Sequence, residues 1–370
     1  MKKAAVIVFI FICFFSYASA QMRKDIRVGI IIGADSFAAA SNEEFVITDG
    51  SGGKYRLSKG KVDISYLNGR LMFGQNKLVF PLTIKPTKGI IFADRQPYRG
   101  FLSVVKAKGG FTVINVLSIE DYLKGVVPKE SSAFWPIESL KAQAVISRTY
   151  TYANLNKHDK EGFDMCSQTH CQVYGGAGAE VLSSNKAVTA TKGEIVTYEG
   201  KTAQTVFHAN CGGHTEDPKY VWNWTVPTPP YLKGVKCGYC DDTPHSKWEN
   251  SLDENFIMKK LSGYRVGNIK SIKIVGTTPA GSAIDVEILH SNGNLTFNAY
   301  KFRLAVDSWQ IKSTTFESIE KVGTRFIFKG RGWGHKVGLC QWGAKGMAEA
   351  GNKYKEILSY YYPGTEITKN

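Results

Sequence analysis

The sequence lacks the features that mark several large classes of protein. Beyond residue 20, no apolar run is long enough to cross a bilayer as a helix, so we expect no stable transmembrane segment in the mature chain. No Gly-rich loop ends in Lys-Ser or Lys-Thr, and we expect neither a nucleotide nor another organic cofactor. Recognition-helix, RNP and zinc-finger patterns are also missing and the basic residues are scattered, which argues against a nucleic-acid partner.

Acidic residues are scarce relative to basic ones. The chain has 32 Asp and Glu residues against 47 Lys and Arg residues, which gives a net charge of +15. This balance is typical of a protein with an acidic partner, such as a cell-wall polymer or anionic lipid. Solubility alone is the other explanation of the charge.

The first twenty residues predict a signal peptide. Lys2 and Lys3 precede an apolar run, and Ala18-Ser19-Ala20 supplies a small-residue cleavage site after Ala20. An uncleaved anchor is the alternative, because the apolar run is barely shorter than a membrane span. Cleavage removes two lysines and lowers the net charge from +15 to +13. We therefore expect an exported protein, either periplasmic or associated with the cell wall.

The first third of the chain has the pattern of β-structure. Short β-branched runs separated by turn dipeptides predict strands from Ile26 to about Val116. In FLSVVKAKGGFTVINVL, the alternation of apolar residues on both sides of Gly109-Gly110 predicts a hairpin. β-rich sequence resumes near Ile269.

Helices are predicted in the middle and at the end of the chain. Pro136 suits the first position of a helix, and Glu138 is favourable in its first turn. Two further helices are predicted from Gln341 to Ala350 and from Tyr354 to Tyr361, each followed by a Gly or Pro signal. The predicted fold is therefore α+β, with a signal peptide (1–20), a β-rich N-terminal region (21–97) and a mixed core (98–370).

One carboxylate lies just before the first predicted helix. We interpret GVVPKESSAFW as the end of a strand followed by a loop that carries Glu130. The N-terminus of the next helix favours the ionised carboxylate, whereas Phe134 and Trp135 favour the protonated acid by desolvating it. A general acid needs a pKa raised toward neutrality. The pair Glu120-Asp121 is interpreted as a strand end or a helix cap.

A first group of Cys and His residues is a candidate metal site. His158, Cys166, His170 and Cys171 offer two imidazoles and two thiols, which is a tetrahedral zinc set. A disulfide between Cys166 and Cys171 is the alternative in an exported protein. Zinc accounts for both histidines, which a disulfide does not need.

A second group offers the same choice. Cys211-Gly-Gly-His214 and Cys237-Gly-Tyr-Cys240 have C-x2-H and C-x2-C spacing, which is typical of zinc ligands. The alternative is a disulfide from Cys211 to Cys237 or Cys240. The sequence leaves both possibilities open.

A Gly-dense segment with two tryptophans, GRGWGHKVGLCQWGAKGMA at residues 330–348, is a candidate binding element. Glycines let the backbone approach a ligand closely, and indole rings suit stacking on sugars. A tight turn with buried tryptophans is the structural alternative, and both can hold together.

Through the motifs described above, the chain resembles the stage II sporulation protein D (SpoIID) family of peptidoglycan-acting proteins. The similarity extends over roughly Tyr98 to Thr365. The matching stretches are YRGFLSV, VINVLSIEDYLKGVVPKE, IESLKAQAVISRTY, THCQVYGG, HANCGGHTEDPKYVW, PYLKGV, GRGWGHKVGLCQWGAKGMA and EILSYYYPGT. The chain departs from many relatives at Ser131-Ser132, where Met-Pro is common, and at Cys340, where Ser is common.

The resemblance implies a lytic transglycosylase. Such an enzyme cleaves peptidoglycan strands between N-acetylmuramic acid and N-acetylglucosamine without water and leaves a 1,6-anhydro end. The family's catalytic glutamate maps to Glu130, and the arginine of its ARTY-like segment maps to Arg148, expected to contact the active site or the substrate. The other residues expected in a glycan-binding groove are His208, Trp333, His335 and Gln341.

The resemblance also bears on the cofactor and the partners. It implies a structural zinc held by His158, Cys166, His170 and Cys171, because the glutamate performs the proton transfers. The expected partners are peptidoglycan glycan strands, with or without stem peptides, and a cell-wall amidase. Two rival functions remain: a non-catalytic wall-binding module that enhances an N-acetylmuramoyl-L-alanine amidase, and a hydrolase that uses water.

Overall fold

The computed structural model of the protein describes residues 24–222, 224 and 226–369. The predicted signal peptide lies outside these residues. Within them, no helix is both long enough and apolar enough to span a membrane. The fold is α+β with a β-rich N-terminal region, which confirms the predicted fold class.

Residues 25–118 form strands that belong to two sheets, which extend past the predicted boundary at residue 97. One sheet has the order β13-β1-β12-β11-β8-β3-β4 and the other has the order β10-β9-β2-β5-β6-β7. The strands are β1 (Asp25–Ala34), β2 (Ser36–Ser41), β3 (Phe45–Thr48), β4 (Lys54–Leu57), β5 (Gly60–Leu67), β6 (Arg70–Phe73), β7 (Asn76–Leu78), β8 (Leu82–Pro86), β9 (Ile91–Ala93), β10 (Gln96–Tyr98), β11 (Phe101–Ala107), β12 (Gly110–Ser118) and, from later in the chain, β13 (Met165–Cys166).

The rest of the described chain alternates helices and short sheets. The helices are α1 (Ile119–Glu130), α2 (Ile137–Ala153), α3 (Leu182–Ala190), α4 (Pro218–Trp222), α5 (Glu254–Lys260), α6 (Ala299–Val306), α7 (Gln341–Glu349) and α8 (Tyr354–Tyr361). The strands are β14 (Glu194–Tyr198), β15 (Lys201–Thr202), β16 (Phe207–His208), β17 (Trp248–Asp253), β18 (Ile269–Thr277), β19 (Ala283–His290), β20 (Gly293–Asn298), β21 (Thr315–Val322), β22 (Arg325–Arg331), β23 (Leu339–Cys340) and β24 (Glu366–Lys369). Short 3-10 turns occur at Asp159–Glu161, Ala177–Ala179, Pro230–Leu232 and Ser262–Tyr264.

Strands β11 and β12 form the predicted hairpin and lead into the site. They pair antiparallel from Phe101↔Val116 to Ala107↔Gly110, and Gly109 turns with a positive φ of 80°. β12 is buried along most of its length because it lies between β11 and β1 in the centre of the sheet. Its last residue, Ser118, is also the N-cap of α1, so the sheet passes directly into that helix.

Helix α1 corrects the prediction of a strand end and a loop before Glu130. Ser118 caps the helix by accepting a hydrogen bond from the Asp121 amide at 3.1 Å, and Glu130 is its last residue. Val126-Val127 and Pro128 favour extended backbone locally, which misled the prediction. The packing decides otherwise, because apolar residues recur at helical spacing and all of them are buried. These residues are Ile119, Tyr122, Leu123, Val126 and Val127.

Helix α2 lies between two hydrophobic clusters. Leu140 and Ala144 belong to the cluster of the N-terminal sheets, whereas Ala142, Val145 and Ile146 belong to a second cluster with α7 and α8. The helix begins at Ile137 with Pro136 at the N-cap, one residue later than predicted. The predicted C-terminal helices are confirmed at 341–349 and 354–361. A third cluster, within residues 248–328, surrounds β17–β22, α5 and α6.

A buried ion pair joins α1 to α2. Arg148 has no exposed surface, and its guanidinium donates two hydrogen bonds of 2.9 Å to the carboxylate of Glu120. It also donates to the backbone carbonyls of Val188 at 3.2 Å and Glu194 at 3.1 Å. The expectation that Arg148 contacts substrate is therefore corrected: a side chain enclosed on all sides cannot touch a glycan. It holds α1 against α2, α3 and β14.

We expect Arg148→Ala to lower the free energy of unfolding by about 3 kcal/mol. The change leaves the partly buried carboxylate of Glu120 without its partner and creates a cavity where the Arg148 side chain packs. Arg148→Met combined with Glu120→Leu should cost less than the single change, since no unpaired charge remains. The control is Arg56→Ala: Arg56 and Glu44 are 77% and 49% exposed, so we expect a loss of less than about 0.5 kcal/mol. Urea unfolding of the four proteins measures this, and equal losses for Arg148→Ala and Arg56→Ala would contradict the assignment.

Candidate active site and metal-binding clusters

Glu130 is held by contacts from two distant parts of the chain. Its carboxylate Oε1 accepts a hydrogen bond from the Val173 backbone amide at 2.7 Å. Its backbone carbonyl accepts another from the Gln341 side-chain amide at 2.9 Å. The first partner follows the predicted Cys/His segment, and the second begins α7. The structure thus brings Gln341, a predicted groove residue, into contact with the candidate catalytic residue.

The environment of Glu130 favours its protonated form. Burial raises the pKa of Glu130 to about 7, although the Val173 hydrogen bond acts in the opposite direction. The residue also lies at the C-terminal end of α1, where the helix dipole disfavours negative charge. Phe134 does not cause the desolvation, since it is 97% exposed. Near neutral pH, both forms of the carboxyl group are therefore populated.

A polar network behind Glu130 was not predicted. Ser131 donates to Gln143 Oε1 at 3.2 Å, and Gln341 donates to the same oxygen at 3.3 Å. Gln143 in turn donates to Ser147 at 3.0 Å. The available signal was the pair Gln143 and Ser147, two polar residues one turn apart on the same predicted helix. The network fixes the backbone at the end of α1.

The first predicted metal set is brought together. The ligand atoms of His158, Cys166, His170 and Cys171 all lie within 4.8 Å of one another, so these residues could hold a metal ion. The Cys171 sulfur lies 3.4 Å from His158 Nε2 and 3.6 Å from His170 Nδ1. The other ring nitrogen of His158 contacts the Glu161 carboxylate at 2.6 Å. Metal-binding histidines commonly have such a carboxylate partner, which orients the ring.

This cluster is directly connected to Glu130. Cys171 precedes Val173, the amide partner of Glu130, by two residues. Gln172 between them donates to the Ser147 carbonyl at 3.3 Å and to Thr151 at 3.1 Å, which attaches the segment to α2. The position of the Val173 amide therefore depends on the fold of the Cys/His segment.

The second set has a different composition from the prediction. The sulfur atoms of Cys211, Cys237, Cys240 and Cys340 lie within 4.8 Å of one another. His214 is not a member of this group, and its Nδ1 contacts the Thr215 carbonyl at 2.6 Å. All six cysteines in the described part of the chain are free thiols. The expectation of His214 as a ligand is corrected, and Cys340 takes that place.

The remaining predicted groove residues lie in two aromatic groups. His208 is buried and lies 5.5 Å from His335, ring to ring, and His335 lies 5.0 Å from Trp222. Burial lowers the pKa of His335 to about 4, so it is neutral at neutral pH. Within the described residues, neither histidine has a hydrogen bond or ring contact with Glu130.

Trp333 belongs to the other aromatic group. Its ring packs edge-on against His245 at 4.4 Å and against Trp309 at 5.3 Å. The Lys312 ammonium lies 5.5 Å from the Trp333 ring centre, and Trp309 is 70% exposed. The indole of Trp333 therefore lies beside an exposed aromatic and basic surface, a suitable place for a sugar to stack.

The raised pKa of Glu130 makes stability depend on pH. Between the ordinary value of 4.5 and about 7, the folded chain keeps a proton that the unfolded chain has lost, so stability falls as the pH rises through this window. Glu130→Gln should therefore match the parent at low pH and exceed its free energy of unfolding above pH 7 by up to about 3 kcal/mol.

Glu138→Gln is the matched control for this measurement. Burial alone would raise the pKa of Glu138, but hydrogen bonds from Lys141 and the Tyr354 amide lower it overall. Its replacement should therefore destabilise the protein at neutral pH. Chemical denaturation across pH 4 to 9 compares the three proteins. A Glu130→Gln variant less stable than the parent at high pH would contradict the raised pKa.

Two family models match parts of the chain. The family model described as stage II sporulation protein, SpoIID, matches residues 107–198, which include Glu130 and the first metal set. A second model, a domain of unknown function called DUF8618, matches residues 240–338, which include the third hydrophobic cluster.

Three individual proteins are similar to this one over most of the chain. An uncharacterized protein of Brachyspira hyodysenteriae is 41% identical over 290 residues, which cover 76% of each chain. The amidase enhancer of Bacillus subtilis is 29% identical over 88% of this chain, but the match spans only 51% of that relative. Stage II sporulation protein D of Bacillus subtilis is 28% identical over 68% of this chain and 75% of its own. The chain therefore belongs to the SpoIID family.

Proposed function

We propose that this protein is an exported lytic transglycosylase that cleaves peptidoglycan glycan strands and uses Glu130 as its only acid and base. The observation that carries the proposal is a single carboxyl group with a pKa of about 7, held at the end of a buried helix. Membership of the SpoIID family and similarity to an amidase enhancer support a role connected with the cell wall.

The chemistry needs one group that first donates and then accepts a proton. Protonated Glu130 gives its proton to the glycosidic oxygen as the bond to the anomeric carbon of N-acetylmuramic acid breaks. The 6-hydroxyl of the same sugar then attacks that carbon, and the Glu130 carboxylate takes the hydroxyl proton. The bond formed is the 1,6-anhydro linkage, and no water is consumed. A pKa near neutrality suits both steps.

The rival carboxylates have other partners. Glu120 is paired with Arg148, and Asp121 contacts Lys124 at 2.8 Å. Both lie in the first turn of α1, about 15 Å from Glu130 at the standard helical rise. In a typical glycoside hydrolase, the two catalytic carboxyl groups are at most about 9.5 Å apart. Neither residue is therefore placed to act as a second catalytic carboxylate beside Glu130.

Zinc at the first cluster is part of the proposal. His158, Cys166, His170 and Cys171 supply the two nitrogens and two sulfurs of a structural zinc site, and the carboxylate of Glu161 orients His158. Zn²⁺ would act there as a cross-link and supply no catalytic chemistry. Its effect on the reaction would be indirect, through the Val173 amide that follows the cluster.

A direct test is mass spectrometry of glycan strands, with and without stem peptides, after incubation with the mature protein. We expect products with 1,6-anhydro ends from the parent and at least a hundredfold fewer from Glu130→Gln, since general acid–base catalysis contributes about 10² to 10⁴ in rate. Glu138→Gln, a carboxylate change on the neighbouring helix, should retain activity. The two substrates reveal whether stem peptides must first be removed.

Other outcomes of this test identify the rival functions. Products heavier by one water would identify a hydrolase. No cleavage by a folded parent, together with faster cleavage of cell wall by an added N-acetylmuramoyl-L-alanine amidase, would identify a wall-binding enhancer. The similarity to an amidase enhancer over 88% of the chain makes the second outcome the principal alternative.

The zinc proposal for the first cluster has its own measurement. Cys171→Ser should lower the metal content by one equivalent per chain and reduce the rate of glycan cleavage. The Glu161→Gln variant should still bind the metal, but with an affinity about 10- to 100-fold lower, because the Glu161 carboxylate orients His158 and is not itself a ligand. Elemental analysis and competition with a chelator measure both effects. Unchanged metal content in Cys171→Ser would refute this ligand set.

A further inference from the structure

Four buried cysteines from three separate segments meet in the second hydrophobic cluster. Cys211 follows β16, Cys237 and Cys240 form a C-x2-C segment, and Cys340 ends β23. None of the four is more than 1% exposed. We propose that they bind one structural Zn²⁺ as a tetrathiolate site, distinct from the cluster around His158.

The distances between the sulfur atoms fit a metal and not a disulfide. A tetrahedral zinc ion with Zn–S bonds of about 2.3 Å places its sulfur ligands about 3.8 Å apart. The Cys211 and Cys240 sulfurs are 3.5 Å apart, and the Cys237 and Cys240 sulfurs are 3.7 Å apart. A disulfide requires about 2.05 Å.

Donors around the cluster are suited to thiolates. The Cys340 sulfur accepts hydrogen bonds from the Cys211 and Gly343 backbone amides, each at 3.3 Å. The Tyr361 hydroxyl lies 3.1 Å from the Cys237 sulfur. Four thiolates around a divalent cation leave two negative charges, and burying these is costly unless such donors contact them.

The surrounding backbone is shaped to admit the C-x2-C segment. A Cβ atom at Gly343 would lie 2.0 Å from the Tyr361 hydroxyl and 2.8 Å from the Cys237 sulfur. A Cβ atom at Gly346 would lie 2.3 Å from the Tyr239 carbonyl. These two glycines, one turn apart on α7, let the helix approach the segment closely. This close approach brings α7 next to the C-x2-C segment, as a metal site shared with Cys340 requires.

The choice of zinc follows from the ligands. Soft thiolates in tetrahedral S4 geometry select Zn²⁺ or iron. C-x2-C spacing is typical of structural zinc sites. The site offers no exposed sulfur atom through which a substrate or redox partner would approach, since all four residues are buried. A structural zinc ion is therefore the assignment.

The site would connect the C-terminal motif to the candidate active site. Gln341, which contacts the backbone of Glu130, directly follows Cys340. Strand β23 pairs in parallel with β16 through Phe207↔Leu339 and His208↔Cys340. A metal that bridges these segments would fix the start of α7, and with it the Gln341 amide. Metal binding by these four cysteines does not require that the protein cleaves glycan.

The test compares metal content in variants of the mature protein, purified without reductant and without added metal. The parent should contain one equivalent of zinc for each of the two clusters. Cys340→Ser should lose one equivalent and keep the other, whereas Cys171→Ser should lose the other. His214→Ala is the matched control, because it removes the ligand suggested by spacing alone, and it should retain both equivalents.

A second measurement applies if Cys340→Ser does not fold. Cys171→Ser loaded with Co²⁺ should show the thiolate-to-cobalt absorption of a four-sulfur site, and peptide mapping of the parent should find all four cysteines as thiols. The proposal is overturned by disulfides among the four cysteines, by iron in place of zinc, by both equivalents remaining in Cys340→Ser, or by loss of an equivalent in His214→Ala.

Discussion

The buried ion pair between Arg148 and Glu120 is the constraint on which the candidate site depends. A guanidinium without solvent contact needs protein groups as hydrogen-bond acceptors. Because its N–H donors lie in one plane at fixed directions, only acceptors in those directions can bind it. Glu120 and the carbonyls of Val188 and Glu194 meet that demand, so α1, α2, α3 and β14 are locked in one arrangement. Because Glu120 lies in the first turn of α1 and Glu130 ends the helix, the pair constrains where the candidate catalytic carboxyl lies.

The two contacts that hold Glu130 each follow a cluster of candidate metal ligands. Val173 comes two residues after Cys171, and Gln341 comes directly after Cys340. One contact acts on the carboxylate and the other on the backbone of the same residue. The segment after Cys171 and the start of α7 thus both contact Glu130. Metal ions bound at the two clusters, as proposed above, would give rigid support to a single carboxyl group, which is what a preorganised site requires.

Sequence patterns predicted much of this structure. The α+β class, the β11–β12 hairpin, helix α2 and the two C-terminal helices follow from local periodicity and from Gly and Pro signals. The association of His158, Cys166, His170 and Cys171 followed from their closeness along the chain. Helix α1 was missed because Val126-Val127 and Pro128 disfavour helix locally. Its buried face, spaced by three and four residues, outweighs that preference.

The sequence by itself determined which chemical groups are present: one glutamate before a helix, a compact Cys/His set, and a Gly-rich motif with two tryptophans. Only the tertiary structure decided which of these groups meet and which are buried. Cys340 replaces His214 in the second cluster because β23 pairs with β16, a contact across more than a hundred residues that no local spacing reveals. Arg148 is a structural residue because packing encloses it on every side. Burial and long-range pairing depend on the whole chain, and therefore short motifs do not encode them.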